Sequence, residues 1–360
     1  MQLREIKISE LNEFVHSELY KQSLNIPITK QRVISQIKNP RANKNNIALI
    51  IAINKENQIV GFIGALPDSF GKNLEIDFYW NSCWWIDQKK GKKTAIPLLL
   101  KFLKVCDNKV MLRDMTDKTR QIISRLNKFE TIKDLKGFRY FIKLNSAEIL
   151  PKRKKIFVIV KPILLLIDYL VNFSLKIKNK SFRKTENIQV KYLNSVDDET
   201  EIFLNKLNKK ELFKRGKDEL NWILNYPWVI QGNKKNTQFY YFSETAKKFE
   251  NYLVKIYKKE QLIGVLLLNN HDGLVKIPYI YFKQKDVNLI VQFIYQFLEE
   301  QKAISLLTFN KSINKAIQNN KNPFWKINEH NKEFVVSKSL AKYVESEFNF
   351  QDGEGDYVFT

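Results

Sequence analysis

Two stretches of the chain repeat one pattern of apolar and polar positions. Ile47 to Ala65 reads IALIIAINKENQIVGFIGA, and Tyr252 to Leu268 reads YLVKIYKKEQLIGVLLL. Each is an apolar run, a polar turn holding Lys-Glu, and a second apolar run that opens around Gly61 or Gly264, the pattern of a β-hairpin. The elements after each hairpin match as well. The first half predicts a strand over 74–86, a helix over 94–105, a strand over 109–113 and a helix over 117–129. The second predicts a strand over 274–282, a helix over 287–302, a strand over 304–309 and a helix over 312–319. Asp117, Asp286 and Asn310 stand where helix caps are expected. A repeated order of hairpin, strand, helix, strand and helix predicts an α/β chain of two tandem copies on mixed sheets, at 1–150 and 189–360.

Residues 151–188, between the copies, read differently. Lys152-Arg153-Lys154-Lys155 precedes a very apolar stretch, Ile156 to Leu175, and more basic residues come after it. Lys161, Asp168, Asn172 and Lys176 recur at a spacing that a helix gathers into one narrow polar stripe. Such a stripe argues against a simple membrane span, which takes about twenty residues with few or no charges. Two placements remain. The expected one is a helix buried between domains or between subunits, the latter making a homodimer. The other is a helix lying in a membrane interface, with the basic flanks of 151–184 on lipid phosphates.

With 360 residues, 44% of them hydrophobic and 13% aromatic, each half can bury a core, so disorder is not expected. The 61 basic and 38 acidic side chains leave a net charge of +23, which suits polyanionic partners: nucleic acid, an anionic membrane or a phosphorylated substrate. Much of the excess is Lys in a chain crowded with Asn and Ile, a pattern that an AT-rich genome produces by drift, so charge alone does not choose among them. Cys83 and Cys106 form no CxxC pair, and His16, His271 and His330 are scattered, which argues against a zinc site or a disulfide framework; no metal is expected. Met1 to Glu10 mixes Arg4, Glu5 and Lys7 with apolar residues and lacks the apolar core of a secretory signal, so the cytoplasm is the expected compartment.

The stretch that carries chemistry is Cys83 to Ala95, CWWIDQKKGKKTA, which leads into the apolar helix Ile96 to Leu103. A strand that passes through a basic, glycine-containing turn into a helix presents free N–H groups to a phosphate, and the helix dipole adds attraction. Gly91 permits close approach. The plain alternative for Lys89, Lys90, Lys92 and Lys93 is a solvated charge run.

This junction resembles that of the GCN5-related N-acetyltransferases, whose signature is Gln/Arg-x-x-Gly-x-Gly/Ala. Gln88-Lys89-Lys90-Gly91-Lys92 fits the first five positions, and Lys93 departs from the sixth, where a small residue is usual. The resemblance covers roughly 1–145 and, more loosely, 189 to the end. It implies acyl transfer from acetyl-CoA or another acyl-CoA to an amine. The coenzyme would lie against Trp85, Asp87, Gln88, Lys89, Lys90, Gly91, Lys92, Lys93 and Thr94. Strand N–H groups near Trp85 and Asp87 would polarise the acyl carbonyl, on whose oxygen charge develops in the transition state. The amine must also lose a proton, which calls for a carboxylate or a water that it orients. Glu75 and Asp77, two apart on a strand and so on one face, are the candidates, with exposed carboxylates offsetting lysines as the plain alternative. The family's next helix often supplies a Tyr to the coenzyme sulfur. Ser124 or a neighbour stands there, so no acid is identified.

Other motifs read as structure. His271-Asp272-Gly273 is turn chemistry, and Asp352-Gly353-Glu354-Gly355-Asp356, too short for a calcium loop, predicts a tight turn before a strand over 357–360. Lys283 to Val287 has no glycine at the matching place, so the second copy is expected to lack a coenzyme site. Trp222, Tyr226, Pro227 and Trp228, with Phe239 to Phe242, are expected in the core, an acceptor wall being the alternative. The leading expectation is an acyl-CoA-dependent N-acyltransferase whose acceptor is a small-molecule amine such as an amino sugar of surface polysaccharide. Two alternatives stay open: a Fem-type transferase using aminoacyl-tRNA, which the +23 charge suits, and a non-catalytic basic scaffold at a membrane surface.

Overall fold

The computed structural model describes residues 1–71, 75–178, 188–207, 210–232, 238–344 and 347–360. Leu74, the expected start of a strand, and 179–187, the end of the expected linker, lie outside the described residues. The strands are β1 (Gln2–Lys7), β2 (Ile47–Ile53), β3 (Ile59–Phe70), β4 (Ile76–Ile86), β5 (Val110–Arg113), β6 (Phe129–Phe141), β7 (Gln189–Leu193), β8 (Ile230–Gln231), β9 (Thr245–Ala246), β10 (Phe249–Lys258), β11 (Gln261–His271), β12 (Leu274–Phe282), β13 (Ser305–Thr308) and β14 (Lys326–Ser337). The helices are α1 (Leu11–Phe14), α2 (Glu18–Gln22), α3 (Lys30–Ile37), α4 (Ala95–Val105), α5 (Asp117–Leu126), α6 (Ser146–Arg153), α7 (Lys161–Lys178), α8 (Asp198–Leu207), α9 (Lys217–Asn225), α10 (Val287–Glu300), α11 (Lys311–Asn319) and α12 (Lys338–Ala341).

The chain packs as two compact units made of interleaved segments. The first takes Met1–Leu135, Asn194–Phe249 and Lys332–Thr360; the second takes Lys136–Leu193 and Glu250–Asn331. Strands of the first unit run in the order β1-β2-β3-β4-β5-β14, and those of the second β6-β13-β12-β11-β10-β7. The duplication is plain in the pairing. β3 and β4 are antiparallel, as are β11 and β12; a helix then crosses over to a parallel strand, β5 beside β4 and β13 beside β12. The strand that ends each repeat completes the sheet of the other: Phe334 in β14 pairs with Arg113 in β5, and Phe141 in β6 pairs with Ser305 in β13.

The repeated glycine is explained by how the helix sits on the sheet. A Cβ on Gly61 would lie 3.0 Å from Leu98 Cδ1 of α4, and one on Gly264 would lie 2.6 Å from Ile290 Cδ1 of α10. Each glycine lets the crossover helix close on its hairpin. In the first unit, alternate residues of the buried strands feed two cores. Ile50, Val60 and Ile63 meet Leu98 and Phe102 of α4, while Leu49, Ile51 and Phe62 meet Phe14, Val33 and Tyr240. In the second unit, Val254, Leu266 and Leu268 pack on Phe293, Ile294 and Phe297 of α10.

One expectation is corrected. Residues 357–360 form no strand; the segment is largely buried and ends in a short 3-10 turn, Tyr357–Phe359, with the Phe359 ring 4.7 Å from those of Trp222 and Trp228. Within this chain the helix α7 is not buried as a whole: Asp168 and Asn172 of its polar stripe face inward, and most of its apolar side chains face out. Asp168 accepts from the Ser146 and Ala147 N–H groups at the start of α6, and the Asn172 amide bonds both the N–H and the carbonyl of Leu144. Among the described residues, no helix is long and apolar enough to cross a membrane.

Candidate functional site

β4 and β5 touch only briefly. Tyr79 pairs with Val110 and Trp80 with Met111, after which β4 continues to Ile86 without its neighbour, so the two strands open a wedge. A bulge decides what β4 shows to that wedge. Gly64 pairs with Cys83 and Ala65 with Asn81, which leaves Ser82 unopposed. Backbone N–H groups an even number of residues apart normally face the same side of a strand. Yet the Tyr79 N–H bonds Lys109 O at 3.0 Å, on the β5 side, while the Asp87 N–H bonds Val60 O at 2.9 Å, on the β3 side. The extra residue at Ser82 has reversed the alternation. Asp87 and Trp85 therefore turn their N–H groups to β3, and the donors facing the wedge are those of Trp84 and Ile86. Arg32 ties α3 to the bulge: buried, its guanidinium lies 3.8 Å over the Trp228 ring and donates to the Tyr240 hydroxyl and, at 3.4 Å, to the Ser82 hydroxyl.

The wedge opens into a cleft of about 960 Å³. Its strand wall is Trp84, Trp85 and Ile86; the turn supplies Asp87, Gln88, Lys89 and Lys92; the start of α5 supplies Thr116 to Thr119. The third wall comes from far along the chain, from Phe239, Tyr241 and Phe242, with the Tyr241 ring 6.4 Å from that of Trp85. The aromatic group expected in the core thus divides. Trp222, Trp228 and Tyr240 are buried, whereas Phe239 and Tyr241 stand exposed on the cleft. The Trp84 indole N–H is buried with no acceptor, so a polar atom entering there meets an unspent donor.

The turn is half closed. Asp87 accepts the N–H groups of both Lys89 and Lys90 at 2.8 Å, the Gly91 N–H bonds Asp87 O at 2.9 Å, and the Thr94 N–H bonds Gly91 O at 2.8 Å. Those N–H groups hold the Asp87 carboxyl below its ordinary range. Gly91 faces the protein: a Cβ there would fall on the Val60 carbonyl oxygen. Lys90 turns away to Gln58, at 2.7 Å, and Thr94 is buried with its hydroxyl on Gly91 O. The other half is open. The Lys92 and Lys93 N–H groups meet no acceptor among the described residues, and no side chain caps α4. In contrast, Thr29, Thr116 and Asn310 cap α3, α5 and α11. A helix start with free N–H groups, flanked by Lys89 and Lys92, can hold an anion. The second repeat differs in kind. Lys283 N–H bonds Ile263 O as Asp87 bonds Val60 O, but the buried carboxylate of Asp286 then stands at the start of α10.

Glu75 and Asp77 lie at the other end of β4 from the wedge. Glu75 is taken up by Arg41 and Ser69, in a cluster where Arg41 also pairs with Glu219 at 2.6 Å, and Asp77 is exposed. Other carboxylates come close to the bulged strand from 352–356. Gly355 lies against Trp80 and Arg113, with a Cβ there 3.3 Å from each. Arg113 donates to the carbonyls of Asp352 and Glu354, and Arg215 spans two carboxylates, Asp68 at 2.6 Å and Glu354. One guanidinium between two buried acids stabilises one fully. Asp68, which also accepts from Trp80 at 2.8 Å, is held low, and burial pushes Glu354 up to about 8. Asp356, beside Arg32, Arg113 and Cys83, is pushed up to about 6 by burial. Sequence reasoning missed this group because its arginine partners, Arg113 and Arg215, lie more than a hundred residues away. Both cysteines are buried thiols, pushed up by burial, and no cluster among the described residues could hold a metal ion.

No protein-family model and no curated protein matches the sequence. Solved structures do. A protein of Enterococcus faecalis described as a probable N-acyltransferase aligns with a TM-score of 0.50 and 11% identity, over 96% of this chain and 74% of that one. A GCN5-related N-acetyltransferase from Kribbella flavida aligns with a TM-score of 0.50 and 9% identity, over 93% of this chain and 70% of that one. The chain has the GCN5-related N-acetyltransferase fold, in tandem.

Proposed function

We propose that the chain is an N-acyltransferase that takes its acyl group from an acyl-CoA. One observation supports this above the rest: the β4–β5 wedge opens onto the uncapped start of α4, with Lys89 and Lys92 beside it. The coenzyme's phosphates would sit on the Lys92 and Lys93 N–H groups, where helix dipole and cations add. Its thioester arm would run along the open edge of β4, with the carbonyl oxygen on the Trp84 N–H. A fixed donor there stabilises the oxyanion as the amine attacks, the C–N bond forms and the C–S bond breaks. Acetyl-CoA is the simplest donor that fits this scheme.

The acceptor is an amine that enters beside Phe239, Tyr241 and Phe242. Such rings stack against the apolar face of a sugar, which favours an amino sugar. The amine's proton passes to water at the open cleft. The thiolate leaves and takes up a proton.

Thermal melting of the full chain tests the donor site. Millimolar coenzyme A should raise the melting temperature by several degrees, as mass action requires of a ligand that binds only the folded state. Lys92→Glu should remove most of that rise while leaving the melting temperature of the free protein unchanged. No rise in the wild-type protein would sink the proposal.

A further inference from the structure

The helix α7 carries its amphipathicity inside out. Within the second unit, three members of its polar stripe turn to the protein: Asp168 caps the start of α6, Asn172 bonds Leu144, and Lys161 lies 3.7 Å from Glu148. What remains is a broad apolar face that no described residue covers. Ile163 is 60% exposed, Leu166 58%, Leu170 55%, Phe173 55% and Ile177 62%. At about 100° per residue, the side chains from Tyr169 round to Ile167 sweep roughly 160° of the helix without a charge. Water-facing helices show the opposite arrangement, and a contiguous exposed apolar surface of this kind marks a site of contact.

Positive charge frames both ends of that face. Before α7 comes the exposed run Lys152-Arg153-Lys154-Lys155. Beside its later turns, Tyr169 and Phe173 run into an apolar groove of about 700 Å³ whose rim carries Lys143, Lys176 and Lys302. Burial and the neighbouring lysines lower the Lys143 ammonium, so an added anion would relieve that site. Apolar surface between two cationic ends matches one partner in particular: acyl chains overlaid by a plane of anionic headgroups.

We propose that α7 docks the protein onto an anionic lipid bilayer, lying in the plane of the interface with Ile163, Leu166, Leu170 and Phe173 among the acyl chains. The inward polar stripe is what makes this stable, since it fixes the helix to the protein and prevents it from rolling its apolar face inward. The groove between α7 and α10 gives one lipid tail a place beside Tyr169, with its headgroup among the three lysines.

Flotation of the full chain with vesicles tests this. Vesicles of phosphatidylcholine containing about one third phosphatidylglycerol should carry the protein, and pure phosphatidylcholine should carry much less. Raised salt should weaken binding, because the lysine contacts are screened. Leu166→Glu with Leu170→Glu should lower the bound fraction roughly tenfold or more, since two desolvated side chains are lost. Both positions are exposed, so the melting temperature should not move. Phe173→Trp provides a direct probe, expected to shift its emission to the blue only with the anionic vesicles. The proposal is overturned if the protein stays unbound by anionic vesicles. It is equally overturned if light scattering finds a dimer that Leu166→Glu with Leu170→Glu dissociates, with no vesicle binding by either form.

Discussion

At Gly91 a single hydrogen separates two backbones. A Cβ in its place would fall on the Val60 carbonyl oxygen and come within 3.0 Å of Asp87 O, both main-chain atoms that cannot swing aside. The residue is therefore glycine for the sake of β3, which holds the turn through the Asp87 N–H at 2.9 Å. In sequence, this glycine reads as the point of approach for a phosphate; in the structure, the free donors begin one residue later, at Lys92. Gly91→Ala should destabilise the free protein by about 1–3 kcal/mol, the usual cost of forcing atoms into a packed site. Thermal melting without ligand measures it. An unchanged melting temperature would mean that the turn can leave β3, which would give the glycine back to the ligand.

Among the elements, the segment 352–356 depends most on partners remote in sequence. Arg215 reaches it from the stretch before α9 and joins Asp68 of β3 to Glu354, all three nearly excluded from water. Arg215→Met would leave two buried acids without their cation and should cost about 3–5 kcal/mol, read from urea unfolding. Adding Asp68→Asn should recover part of the loss, because Asp68 is the acid that the guanidinium holds ionised while Glu354 is raised; a single variant as stable as the wild type would refute this account. The same elements show what a sequence can convey. Hairpins, crossover helices and parallel strands announce themselves by local period, and the observed bounds of α4, β12 and α10 fall close to those predicted. The polar stripe of α7 was equally legible, but a period has no direction, so the sequence could not say which face turned inward. For 352–356, alternating acid and glycine reads as a surface turn, and only tertiary partners make it core. The bulge at Ser82, which aims the wedge donors, has no composition of its own, so the turn was found and the strand edge that would work with it was not.

For the molecule as a whole, the consequence of these burials is a stability that depends on pH in an unusual direction. Burial pushes three carboxyls up: Asp356 to about 6, Glu211 to about 7 and Glu354 to about 8. Each binds its proton more tightly folded than unfolded, so between its ordinary range and its raised value the folded state holds more protons. Stability must then fall as pH rises through that window, from about 5 to about 8. Other groups act elsewhere or weakly. Asp68 is lowered, which matters only in more acid solution, and Lys332, lowered to about 8, gives stability back only at higher pH. His271 is lowered too and opposes the trend below its ordinary value, but as one partly exposed ring against three carboxyls. The melting temperature should therefore drop by several degrees between pH 5 and pH 8, where acid-labile proteins would gain stability. Glu354→Gln removes the group with the widest window and should flatten the curve. A melting temperature that climbs over this range would show that Arg215 and its neighbours keep these acids ionised in the folded state.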